Sequence, residues 1–168
     1  GPQSAEPVGS TLSTQLGRYR LERLLGKGGM GAVYLGVDER EGRQVAVKRL
    51  FADAVPDEET VRRFQKEARL LAKVQHPQIA NLLDVGEDAG ACFLVLEFVD
   101  GVDLKWLLSH HAPLPERIAL LIIRDVTEAL ATAHHQGIIH RDIKPSNIMM
   151  TAASDGVAGG AEAVAAAV

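Results

Sequence analysis

Cysteine is almost missing from this chain: Cys92 is the single one in 168 residues. That excludes an internal disulfide and suits a reducing cytosol. Long apolar runs are missing too. The stretch Ile118 to Ile123 is too short to cross a bilayer, and no secretory signal pattern occurs, so a cytoplasmic location, free or as the cytosolic part of a larger or membrane-anchored protein, is expected. There is no excess of positive charge. The net charge is −4, which gives no broad cationic field for nucleic acid or an acidic membrane. Internal repeats are absent. The histidine pairs His110-His111 and His134-His135 have no cysteine or carboxylate cluster beside them in sequence and read as helix surface rather than metal ligands.

What is present is an ordinary balance of 46% hydrophobic and 24% charged residues, that of a soluble globular chain. Gly1-Pro2 reads as a cleavage scar, and residues 1–17 as a flexible leader rich in Ser, Thr, Gly and Pro. Strands are expected over Tyr19–Leu25, Ala32–Val37 and Val45–Val47, with a glycine turn at Gly26–Gly31. Phe64, Ala68 and Leu71 recur at helical spacing within Glu58–Val74, after a Pro56-Asp57 start signal. Two further strands, Leu82–Val85 and Cys92–Glu97, precede helices at Asp103–His110 and Pro115–Gln136, the second stopped by Gly137. Five strands interrupted by one helix and followed by helices make an α+β order, not a βαβ series. Thr151–Val168 is an Ala/Gly-rich tail with no pattern of a core element.

Three segments carry chemistry. Gly26-Lys27-Gly28-Gly29-Met30-Gly31-Ala32-Val33 fits G-x-G-x-x-G-x-V, in which glycines Gly26, Gly28 and Gly31 let main-chain N–H groups approach phosphate oxygens. A plain β-turn is the alternative. A Rossmann loop would need a helix directly afterwards, and a Walker loop a closing Gly-Lys-Ser/Thr; neither follows. Val45-Ala46-Val47-Lys48 puts a lysine at a strand end, suited to the α- and β-phosphates of a nucleotide. It needs a carboxylate to fix it, and Glu67, on the helix face of Phe64, Ala68 and Leu71, is the candidate. A surface pair of Glu67 with Arg63 is the competing reading. Finally, His140-Arg141-Asp142-Ile143-Lys144-Pro145-Ser146-Asn147 spaces an acid, a cation and an amide as phosphoryl transfer requires: Asp142 to orient a hydroxyl, Lys144 for phosphate charge, Asn147 to hold a metal.

Together these segments, from about Arg18 to Met150, resemble the Hanks-type protein kinases, and the bacterial receptor-type serine/threonine branch in particular. Leu25–Gly31 and His140–Met149 carry most of that likeness. The resemblance implies a protein-kinase-like fold: a five-stranded antiparallel N-lobe over residues 18–98 with Glu67 on the C-helix, then the first helices of an incomplete helical C-lobe over residues 99–150. It implies ATP as ligand, with Leu25, Val33, Ala46 and Met149 around the adenine ring. Main-chain groups of Glu97 and Val99 would hold the ring's edge, with Leu96 as gatekeeper. Lys144, two positions after Asp142, follows the serine/threonine pattern, so a protein substrate is implied.

The family pattern breaks after Asn147. A short hairpin and then Asp-Phe-Gly should follow, the aspartate binding Mg²⁺, and no Asp-Phe-Gly occurs in the sequence. Asp155-Gly156 reads as the hairpin turn, and Gly159–Ala163 stands where the motif is expected, with Glu162 the one conceivable substitute ligand. The chain is therefore read as a kinase-like domain truncated after the catalytic loop, with phosphotransfer impaired and Asn147 alone for the metal. A pseudokinase scaffold, or a kinase completed by another chain, are the other readings. The consecutive Leu120, Leu121, Ile122 and Ile123 imply an exposed apolar patch and self-association or a covering partner.

Overall fold

The computed structural model describes residues 14–28, 31–50, 57–140, 143–152 and 161–165, with backbone alone at 28, 60, 67, 152 and 161–165. Val45 and Val47, both 0% exposed, sit at the centre of a mixed-length antiparallel sheet. Its strands are β1 (Gln15–Leu16), β2 (Tyr19–Gly28), β3 (Gly31–Asp38), β4 (Arg43–Leu50), β5 (Leu82–Asp88) and β6 (Ala91–Glu97), in the order β1-β2-β3-β4-β6-β5. Alternation on β4 separates two faces. Val45 and Val47 join Leu16, Tyr19, Phe93 and Val95 on one. Leu50 joins Cys92 and Leu94 on the other, beneath helix α1 (Glu58–Leu71), whose Ala68, Phe64 and Val61 pack on it. Burying each valine contributes about 2 kcal/mol. Strand β6 is buried from Ala91 to Leu96, which explains its unbroken apolar run.

The five expected strands are all present. The sixth, β1, falls inside the segment read as leader: Leu16 pairs with Tyr19 and Gln15 with Arg20, and Leu16 is 2% exposed. One apolar side chain is enough to draw the backbone into the sheet edge, so Gln15 and Leu16 belong to the sheet and not to the expected leader.

The second layer is helical. Asp103 caps α2 (Leu104–His111), accepting the Trp106 N–H at 2.7 Å, and α3 runs Glu116–His135. Gly137, with φ +76°, ends α3 as expected. A 3₁₀ turn (Pro145–Asn147) leads into a small sheet of β7 (Val102–Asp103), β8 (Ile148–Ala152) and β9 (Ala161–Ala165), in that order. Leu104, Ile122, Val126, Ile148 and Met150 form its core. A fourth cluster, Val74, Ile79, Ala129 and Ala133, joins the segment after α1 to α3 and so ties the two layers together. Strand β9 corrects the expectation that the Ala/Gly-rich tail holds no element. Ala161 pairs with Ala152 and Ala165 with Ile148. The Asp155-Gly156 turn lies outside the described residues.

A buried carboxylate sets the β3–β4 corner. Asp38 is 1% exposed, accepts the N–H groups of Arg40 at 3.0 Å and Glu41 at 3.3 Å, and pairs with Arg18 at 3.1 Å. Burial on its own would raise its pKa; the two N–H donors and the guanidinium outweigh burial and hold the carboxyl below the usual carboxylate value. A depressed folded-state pKa stabilises above the unfolded value, about 4, and that stabilisation is lost as pH falls through the folded value. Thermal melts should therefore show Asp38→Asn less stable than the parent at pH 7, with the gap closing towards pH 3. A gap independent of pH would refute the assignment.

Candidate functional site

Pairing register brings the sequence motifs into one line. Gly26 on β2 faces Val33 on β3, Val33 faces Lys48 on β4, and Lys48 faces Leu94 on β6. Directly opposed residues share a face, so the glycine hairpin and Lys48 lie on the α1 side of the sheet, two strands or roughly 10 Å apart. One step along, Ala46 faces Leu35 and Leu96 on the same side. The β2–β3 register slips between Leu24 and Gly26, which leaves Leu25 as the extra, partly exposed residue of a bulge. Bulges re-aim side chains and recur beside active sites. Residues 29 and 30, the tip of the glycine turn, lie outside the described residues.

Gly26 and Gly31, on the two strands of the hairpin, are glycine for different reasons. A Cβ on Gly31, whose φ is +148°, would collide with the main-chain carbonyl of Arg49. Close packing of β3 on β4 demands it. A Cβ on Gly26 meets nothing within 4 Å, and its φ is not positive. Neither backbone conformation nor packing requires glycine there; what it preserves is open space over the sheet.

Lys48 is half-buried. Glu67 lies on α1 one residue before Ala68, which is 1% exposed against Leu50 and Leu94. The Glu67 side chain lies outside the described residues, so its pairing with Lys48 is not placed. Arg63 contacts Glu59 at 3.8 Å, one turn earlier on α1.

Leu96, Glu97 and Val99 follow one another along the connection from β6 to the helical layer. Behind Leu96 opens an apolar pocket that sequence reasoning missed, bounded by Leu71, Val74, Leu82, Leu96, Ala133 and His140. Its walls come from four separate elements, so no local spacing could announce it. His140, the first residue of the His140–Asn147 segment, is among the residues that line it. Arg141 and Asp142 lie outside the described residues. Lys144 is exposed and leads the 3₁₀ turn. Asn147, half-buried, donates its N–H to the Lys144 carbonyl at 2.9 Å. Met149 faces Asp103 and Val164 in the small sheet and is half-buried, between the buried Ile148 and Met150.

Among the described residues no three His, Cys, Asp or Glu side chains gather as a metal site. Glu162 on β9 pairs with Thr151 on β8, and its side chain lies outside the described residues. Among the described residues no helix is long and apolar enough to cross a membrane.

The family profile for the protein kinase domain matches residues 19–157. The serine/threonine-protein kinase PknA of Mycobacterium tuberculosis is 44% identical over 149 residues, covering 86% of this chain and 34% of that protein. The serine/threonine-protein kinase pkn2 of Myxococcus xanthus is 43% identical over 140 residues, 83% of this chain and 17% of that protein. A crystal structure of the M. tuberculosis PknI kinase domain superposes with a TM-score of 0.75 at 32% identity, covering 90% of this chain and 58% of that one. The chain thus spans between a sixth and a third of the length of these two curated relatives.

The two glycines should separate stability from binding. Gly31→Ala is expected to lower unfolding stability by about 2 kcal/mol or more, through backbone collision. Gly26→Ala should stay within about 0.5 kcal/mol of the parent or exceed it, since a strand interior favours alanine over glycine. Urea unfolding checks both, and equal losses would contradict the distinction.

Proposed function

Because this chain belongs to the protein kinase domain family, we propose that it forms the nucleotide cleft of a serine/threonine protein kinase and binds ATP there. The observation that carries the reading is the Gly26–Val33–Lys48 row, with unfilled space above Gly26. Phosphates lie under the glycine hairpin, where N–H groups and the Lys48 ammonium meet them, and Glu67 steadies that lysine from α1. Adenine sits between Leu25, Val33 and Ala46 above and Met149 below, its edge against the main chain of Glu97 and Val99 beside Leu96. Asp142 orients the hydroxyl of a protein serine or threonine, and Lys144 offsets phosphate charge.

Magnesium is implied by the family and does not fit the described donors. Mg²⁺ usually takes one or two carboxylates beside phosphate oxygens, and the sequence holds no Asp-Phe-Gly to supply one alongside Asn147. The 168 residues by themselves accordingly bind nucleotide but transfer phosphate very slowly or not at all. A pseudokinase scaffold shares the first half of this reading.

Self-association belongs to the same reading. Leu120 and Ile123 on α3 are 60% and 64% exposed. Glu116 and Arg124 stand four residues either side of Leu120, so two α3 faces crossing antiparallel at Leu120 would set unlike charges opposite each other.

Two experiments test these statements. ATP without Mg²⁺ should raise the melting temperature, and Lys48→Ala should weaken binding by about tenfold to a hundredfold, the worth of a charged hydrogen bond. Absence of any ATP shift would sink the nucleotide reading, and robust Lys48-dependent autophosphorylation would sink the impairment. In light scattering, the mass should rise with concentration and Leu120→Asp should return it to the monomer. A monomer at all concentrations rejects the α3 contact.

A further inference from the structure

Strand β6 ends in an irregularity with a chemical consequence. The Asn81–Glu97 pair continues the β5–β6 register, since Leu82 faces Leu96. In an antiparallel ladder a hydrogen-bonded pair exchanges both N–H···O=C bonds. Half of that exchange is made: the Glu97 N–H donates to the Asn81 carbonyl at 3.0 Å. The other half is replaced. The Asn81 N–H donates to the Glu97 side-chain Oε2, also at 3.0 Å, and not to the Glu97 main-chain carbonyl.

We infer that the Glu97 carboxylate substitutes for its own carbonyl in the ladder, and so keeps that carbonyl available to the exocyclic amino group of a 6-aminopurine. The physical argument is one of competition. The Asn81 N–H is a part-buried donor that must be satisfied, and the nearest main-chain acceptor in register is the Glu97 carbonyl. A carboxylate is the stronger acceptor and takes the donor first. Glu97 thereby becomes a positioning residue for base recognition. It acts through the main chain at the point where the sheet hands over to the helical layer.

This inference rests on the nucleotide reading above, deepens it to the recognition of one base substituent, and predicts a base-specific effect. Titration calorimetry with ATP and with the triphosphate of purine riboside, which lacks the amino group, separates the terms. The parent should prefer ATP. In Glu97→Ala the Asn81 N–H re-pairs with the main-chain carbonyl, so ATP affinity should fall about fivefold, the worth of one hydrogen bond. Affinity for the purine triphosphate should barely change. Glu97→Gln, which keeps a side-chain acceptor, should restore the preference. An unchanged preference for ATP in Glu97→Ala, or equal losses for both nucleotides, overturns the inference while leaving ATP binding intact. If the parent binds neither nucleotide, the underlying reading fails first. Should Glu97→Ala melt too early to assay, the parent labelled with ¹³C at the Glu97 carbonyl gives the same answer. A carbonyl shift with ATP and not with purine triphosphate is expected, and identical spectra with both would overturn the proposal.

Discussion

Register is the constraint on which everything else in this molecule rests. A strand slipped by one residue turns every side chain to the opposite face. Val45, Val47 and Val95, all 0% exposed, therefore fix where Ala46 and Lys48 point, and β3 inherits that setting through its pairing with β4. The glycine hairpin, the lysine and Leu96 come onto one side because the register sets them opposite to the face of Val45 and Val47. Tyr19 reinforces this from β2, edge-on to Phe93 with centroids 6.0 Å apart and its hydroxyl donating to Asp84 at 2.6 Å. Burial and that acceptor raise the phenol's pKa, so it stays protonated.

Much of the fold was legible because local signals agreed with one another. The strand signal at Val45–Val47 and the helical spacing at Phe64, Ala68 and Leu71 each named an element that is present. The unread parts had no side-chain signature. Strand β9, Ala161–Ala165, has a composition that favours helix over strand, and its pairing with β8 supplies what propensity does not. Leu16 looked like part of a polar leader until Tyr19 and Phe93 provided a surface for it.

The candidate site divides in the same way. The family resemblance named Leu96 and Glu97; motif spacing named Gly26, Val33 and Lys48, which pairing aligns. It could not reveal that Leu25 occupies a bulge, because bulges are defined by the partner strand. Nor could it tell the two glycines apart: Gly31 answers to the backbone of β4 and Gly26 to empty space. The pocket behind Leu96 is assembled from α1, β5, β6 and α3, elements far apart in sequence. Glu97 was named for its main chain, and only the position of Asn81 gives its carboxylate a task.

Hydrogen exchange read by mass spectrometry, with and without ATP, tests the central claim most directly. A nucleotide lying along the Gly26–Val33–Lys48 row should slow amide exchange in the peptides spanning 24–34, 45–49 and 96–100, leaving α3 unaffected. Protection confined to α3 and the small sheet, or none in the glycine hairpin, would contradict the account.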